Sequence, residues 1–181
     1  NKIFKAQGYR TEFTYGYNIN YANFSSYLMH GDFDHVTHSM DFPQSLNTSK
    51  WGVHDEYVFD KFFDEVEHSS GPFFKIMMTQ SSHEPYDVPM KTAIPGEDDI
   101  HRFMNSAFYT DSCFGAFIDR AKRTTWWENT LIVVTADHGH IYPGNQGLTN
   151  PDRFKIPMLW LGGALSVRDT VVQTIAGHPD I

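Results

Sequence analysis

Asp137 and His138 stand side by side at the end of an apolar run, in "LIVVTADHGH", and Gly139 and His140 follow at once. A carboxylate oxygen beside an imidazole nitrogen suits zinc, manganese or iron. Two protein donors do not complete a coordination sphere, so the pair reads as part of a larger set. Neighbouring side chains in an extended strand point to opposite faces, so both reach one ion only where the backbone turns. Gly139 is expected to make that turn cheap, because it lacks a side chain that clashes at unusual dihedrals. The competing reading is a polar strand end, with the aspartate hydrogen-bonding its own turn.

His83, in "MTQSSHEPY", is the second candidate. It reads either as a grip on an anionic substrate oxygen, by charge and hydrogen bond, or as a loop histidine packed beside Pro85 and Tyr86. His140 reads as pocket lining or surface. His178 sits too near the end of the sequence to assign. Thr79, Ser81, Ser82 and Thr135 carry hydroxyls, but none lies in a G-x-S-x-G turn. Cys113, the single cysteine, falls mid-helix on an apolar stretch and reads as packing. It excludes internal disulfides and cysteine-based zinc sites.

These residues need a scaffold, and the 181 residues are enough for one core. Apolar residues make up 40% and charged residues 20%, a globular composition. The formal net charge of −8 argues against a nucleic-acid backbone as partner. No apolar stretch reaches bilayer length.

Residues 1–50 read as aromatic and irregular, with a helix over 21–29 stopped by Gly31 and a short strand at "FDHVTH". Tyr9, Phe13, Tyr15, Tyr17, Tyr21 and Phe24 are expected mainly in the core. A helix is predicted over 54–69, where Val58, Phe62, Phe63 and Val66 share one face. A strand follows over 73–79. Residues 80–99 form a long loop, of a length usually reserved for function. The longest helix is predicted over 98–124, opening on the acids 97–99. Trp126 and Trp127 are expected to seal its end against the sheet. Strands are predicted over 131–136 and 155–163, and 166–177 as a linking segment or helix. Alternating helices and strands imply a mostly parallel sheet, whose ligands sit beyond the carboxyl ends of its strands. His83 follows one such end; Asp137 and His138 follow another.

Two segments taken together carry a resemblance. "PFFKIMMTQSSHEPYDVP" and "YTDSCFGAFIDRAKRTTWWENTLIVVTADHG" are similar to consecutive segments of the lipoteichoic acid synthase and phosphoglycerol transferase group. That group belongs to the sulfatase branch of the alkaline phosphatase superfamily. "GDFDHV", "WGVHDEYVFDKFFDEV", "KIPMLWLGG" and "HPDI" extend the likeness over nearly the whole chain. The resemblance implies an α/β fold, with a mostly parallel central sheet flanked by helices on both faces, and a single but incomplete catalytic domain over 1–181. It implies Asp137 and His138 as metal ligands, with manganese first and calcium, magnesium or zinc as alternatives. It implies His83 as the residue that binds a phosphate or sulfate ester on a lipid head group or glycan.

The family's nucleophile and an early acidic metal ligand lie upstream of the matching segments, so no catalytic nucleophile is expected here and the chain alone is expected to be inactive. A tryptophan and an arginine that hold glycerol phosphate in lipoteichoic acid synthases should fall around Tyr21–Ser26, where this chain reads "YANFSS", a departure from that pattern. Two alternatives stand beside phosphoryl transfer: a true sulfatase or phosphodiesterase, and a non-catalytic binder of anionic glycans or head groups. The resemblance places the parent protein on the outer side of a bacterial membrane, anchored by a segment this chain does not contain.

Overall fold

A computed structural model describes residues 1–144 and 147–181; the predicted loop beyond His140 includes 145 and 146, which lie outside the described residues. Its centre is a parallel sheet of β1 (Arg10–Tyr15), β2 (His35–Thr37) and β5 (Phe73–Met78), in the order β2-β1-β5. A small antiparallel pair, β3 (Asn47–Ser49) and β4 (Gly52–Val53), lies between them in sequence. The helices are α1 (Lys2–Ala6), α2 (Phe24–Gly31), α3 (Asp55–Glu67) and α4 (Asp99–Ala121).

The alternation along β1 assigns each helix to a face. Phe13 and Tyr15 pair in register with Ile76 and Met78 and pack against Leu28 of α2. Phe4 of α1 stacks on Phe74 of the same face. Glu12, Thr14, Lys75 and Met77 point to the other face, beneath α3. There Phe59 joins Phe117 and Ile118 of α4 in a cluster that also touches Met77. Trp126 and Trp127 close that cluster, as expected. Helices therefore cover both faces of a parallel sheet.

Several elements differ from the sequence reading. The centre of the sheet is β1, in a stretch read as irregular. Its Thr11, Glu12 and Thr14 are buried, a pattern that masks a central strand, since such strands usually read as continuous apolar runs. Each polar group there has a distant partner. Thr14 Oγ1 donates to Glu65 at 2.7 Å, Thr11 N–H donates to Asp34 at 2.8 Å, and Lys75 pairs with Glu12. The helix predicted over 21–29 begins only at Phe24, because Ala22 and Asn23 adopt left-handed dihedrals. The last two strands, β6 (Ile132–Thr135) and β7 (Met158–Leu161), form an antiparallel ribbon rather than extending the parallel order. Residues 166–177 hold neither helix nor strand.

Asp34 provides a pH handle on this framework. The Thr11 N–H and the Lys5 ammonium, 2.9 Å away, hold its carboxyl at about 2, well below the usual carboxylate range. A depressed folded-state pKa gives stability that is present above the unfolded pKa and lost as pH falls through the folded one. The melting temperature should therefore drop as pH falls from about 4 towards 2. Asp34→Asn should flatten that drop in thermal unfolding measured across the same range; an unchanged profile would remove Asp34 from the acid response.

Candidate functional site

The carboxyl ends of β5 and β6 open towards one another's loops. At the end of β6, the His138 N–H donates to Asp137 Oδ1 at 3.0 Å. The His138 ring comes back towards the same carboxylate, with Nε2 3.6 Å from Oδ2. The two side chains converge, and both are exposed. His138 Nδ1 lies 2.9 Å from the Gly139 carbonyl, which only accepts. That contact puts the proton on Nδ1 and leaves Nε2 with its lone pair beside the carboxylate, the tautomer a metal needs. The pair thus fits two positions of a divalent coordination sphere. Among the described residues no group of three or more histidine, cysteine or acidic side chains converges to complete it.

Gly139 acts differently from the expectation. Its φ is not in the left-handed region. A Cβ there would lie 1.7 Å from the Arg153 carbonyl oxygen and 3.3 Å from the Phe154 Cα. The glycine is required by close approach of a second backbone segment, not by an unusual dihedral.

At the end of β5, His83 is exposed. Its Nδ1 lies 3.2 Å from the Glu84 carbonyl, which also accepts from Trp51 Nε1–H. The shared acceptor brings the rings together, with centroids 4.1 Å apart. Nδ1 is committed to the loop, so Nε2 is left for a ligand, donating when the ring is protonated. Trp51 also packs edge-on to Tyr17 and Tyr21, both at 5.3 Å. Of the early aromatic set, Phe13 and Tyr15 are core, while Tyr17 and Tyr21 stand at this strand end. The stretch around Tyr21 supplies no tryptophan, yet one from a different stretch, Trp51, flanks His83.

His140 joins the two loops. It stacks on Phe103 of α4, with centroids 4.3 Å apart, and its Nδ1 accepts the Tyr142 N–H at 3.1 Å. Nε2 then carries the proton towards Tyr86 Oη at 3.4 Å, and Tyr86 donates onward to Glu84 at 3.4 Å. Burial, aided by Glu84, pushes the Tyr86 hydroxyl up to about 12, so it stays a donor. Burial holds the His140 imidazole below the usual histidine range; the charges of His138, Arg153 and His83 push the same way, and Glu84 opposes them. His140, two residues after His138 in its own loop, touches Tyr86 of the loop that carries His83. A cavity of about 230 Å³ opens beside this clasp, lined by Lys50, Glu84, Pro85, Tyr86, Asp99 and Arg102.

Sequence reasoning passed over Trp51, named Tyr86 only as a packing neighbour of His83, and left His178 unassigned. His178 Nε2 lies 2.7 Å from the carbonyl of Ala136, the residue just before Asp137. The Pro and Asp that follow His178 were the only local signal, marking a tight turn. Cys113 is half-buried, its thiol pushed up to about 11 by burial, which agrees with a packing role.

The sulfatase family model matches residues 1–181. Phosphoglycerol transferase I of Escherichia coli (strain 55989 / EAEC) is 30% identical over 147 residues, covering 75% of this chain and 19% of the relative. The chain thus spans about a fifth of the curated relatives it matches. A Vibrio parahaemolyticus protein in the alkaline phosphatase superfamily superposes with a TM-score of 0.77 at 31% identity, over 90% of this chain and 40% of that one. The lipoteichoic acid synthase LtaP of Listeria monocytogenes gives a TM-score of 0.81 at 19% identity, over 92% of this chain and 46% of that one.

Proposed function

Because the chain belongs to the sulfatase family, we propose that it is part of a metal-dependent phosphoryl-transfer domain acting on a phosphoglycerol-type ester. The observation that carries this reading is the convergence of Asp137 and His138 at one strand end, with His140 touching Tyr86 of the loop that presents His83. The phosphoglycerol transferase and lipoteichoic acid synthase relatives support phosphate over sulfate. The chain's small share of its relatives' length supports placing the nucleophile and the remaining metal donors elsewhere in a longer polypeptide.

Asp137 and His138 would hold a divalent ion, manganese in the first instance. When bound, such an ion supplies Lewis-acid stabilisation of charge on the transferring oxygens. The chain's own residues do the rest. His83, protonated at Nε2, donates to an anionic oxygen of the ester and stabilises charge that grows in the transition state. Trp51 fixes the ring plane of His83, and the Glu84–Tyr86–His140 contacts hold its loop against the Asp137 loop. The cavity beside it offers room for the rest of a head group, with Lys50 and Arg102 balanced by Glu84 and Asp99. Such a substrate would belong to the cell envelope, which supports a site on the extracytoplasmic face of a bacterial membrane. No helix among the described residues is long and apolar enough to cross one.

The test is release of glycerol phosphate from phosphatidylglycerol by the full-length protein, beside nitrophenyl sulfate as the rival substrate. The phosphate ester should be turned over and the sulfate ester not. His83→Ala should lower kcat/KM by about 100-fold or more, the scale of losing one transition-state donor. Preferred turnover of the sulfate ester would establish the sulfatase reading instead. Turnover of neither ester, with tight binding of anionic glycan, would establish the binding reading.

A further inference from the structure

Asp55 is the first residue of α3 and is completely buried. A carboxylate in that setting is costly unless donors satisfy it. Its donors come from other parts of the chain. Oδ1 accepts the N–H groups of Gln80, at 2.8 Å, and Ser81, at 3.2 Å. Oδ2 accepts the Thr110 hydroxyl of α4 at 2.7 Å. In return the Asp55 N–H donates to Ser81 Oγ at 3.0 Å. Among the described residues, the partners of this carboxylate are two amides and a hydroxyl.

Gln80 and Ser81 are where the chain leaves β5. The next turn is built on them: the His83 N–H donates to the Gln80 carbonyl at 3.0 Å, and the Tyr86 N–H donates to the His83 carbonyl at 2.8 Å. We propose that Asp55 is a positioning residue: by clamping the Gln80 and Ser81 amides between α3 and α4, it sets where His83 is presented to the anionic oxygen of the substrate. The proposal rests on the role given to His83 above. Asp55 acts through His83 and touches no substrate itself. Small displacements of a group that must meet a reacting atom are expensive in rate, so the clamp has a kinetic signature.

The experiment is a double-mutant cycle in the full-length protein, with Asp55→Ala, His83→Ala and the pair, read as kcat and KM for glycerol phosphate release. Asp55→Ala alone should lower kcat/KM by about 100-fold. In the His83→Ala background the same change should cost less than about threefold, because the two residues act as one unit. Asp55→Asn, which keeps an acceptor for both amides, should restore most of the activity. A second readout needs no turnover. Trp51 touches His83, so in protein labelled with 5-fluorotryptophan its ¹⁹F resonance, assigned by its absence in Trp51→Phe, reports the loop. Asp55→Ala should move that resonance and leave the other tryptophan signals in place.

Additive losses in the cycle, or a Trp51 signal that does not move, would overturn the proposal. If Asp55→Ala fails to fold, Thr110→Val removes one donor while keeping the shape, and the same selective Trp51 shift decides the matter. If His83→Ala is fully active, the functional reading falls, while the Trp51 shift still decides whether Asp55 holds the loop.

Discussion

Asp137→Asn in the full-length protein should lower kcat/KM for the phosphoglycerol ester by about 1,000-fold or more, with bound divalent metal falling in parallel. The substitution keeps shape and removes a formal charge. The loss comes from the charge of the oxygen that faces the His138 ring. Oδ2 lies 3.6 Å from His138 Nε2, so the two donors meet a common ion only if both are anionic or carry a free lone pair. The Asp137 carboxylate also accepts the His138 N–H through its other oxygen, an arrangement that holds the backbone while the ring folds back. Asparagine can keep that second contact, so the variant should remain folded, with a melting temperature near that of the wild type.

His138→Gln should lose metal to a similar degree, and the double variant should be little worse than either single one, as the proposal that both donors serve one ion requires. Metal analysis of chelator-free preparations checks this directly. A variant that keeps its full metal content and its activity would show that the 3.6 Å pair is only a polar strand end.

How far the sequence led depends on where each residue's partners lie. β5 and β6 were legible because "FFKIMM" and "LIVVT" carry their own signal, and α3 and α4 because their apolar spacing does. β1 was not. Its polar positions are stable in the interior only because Asp34, Glu65 and Lys75 arrive from 23, 51 and 63 residues away, and no window of sequence contains both halves of those pairs. The direction of β7 was hidden for a related reason: an apolar run states burial, not which way it pairs. The site divides the same way. Asp137 and His138 were adjacent in sequence and visible. Asp55 reads as an ordinary acid at a helix start, and only the structure joins it to amides 25 and 26 residues away and a hydroxyl 55 residues away. Trp51 was likewise a lone aromatic until His83 was found against it.

Gly139→Ala should also weaken the proposed metal site, though less than Asp137→Asn, and for a reason that a dihedral argument misses. The backbone at Gly139 lies outside the left-handed region, so alanine there meets no left-handed strain. The obstacle is space. The new methyl carbon would sit 1.7 Å from the Arg153 carbonyl oxygen and 2.8 Å from its carbon, far inside contact distance. Main chain, unlike the end of a flexible side chain, cannot swing aside.

Relief therefore requires moving either the Asp137–His138 turn or the short turn at Pro151–Phe154. The second is itself fastened, with Asn150 accepting the Asp152 N–H at 3.0 Å through its side chain and the Arg153 N–H at 3.1 Å through its carbonyl. Overpacking of this kind costs about 1–3 kcal/mol, and more where the neighbour cannot yield. Whichever segment gives way, the Gly139 carbonyl that fixes the His138 tautomer shifts with it. Metal affinity should fall by about 10- to 100-fold, the scale seen when an outer contact to a ligand is lost, together with a lower melting temperature. Isothermal titration with manganese and thermal unfolding of the same preparation test both halves. Affinity and melting temperature matching those of the wild type would mean that the two backbones do not approach in solution as they do here.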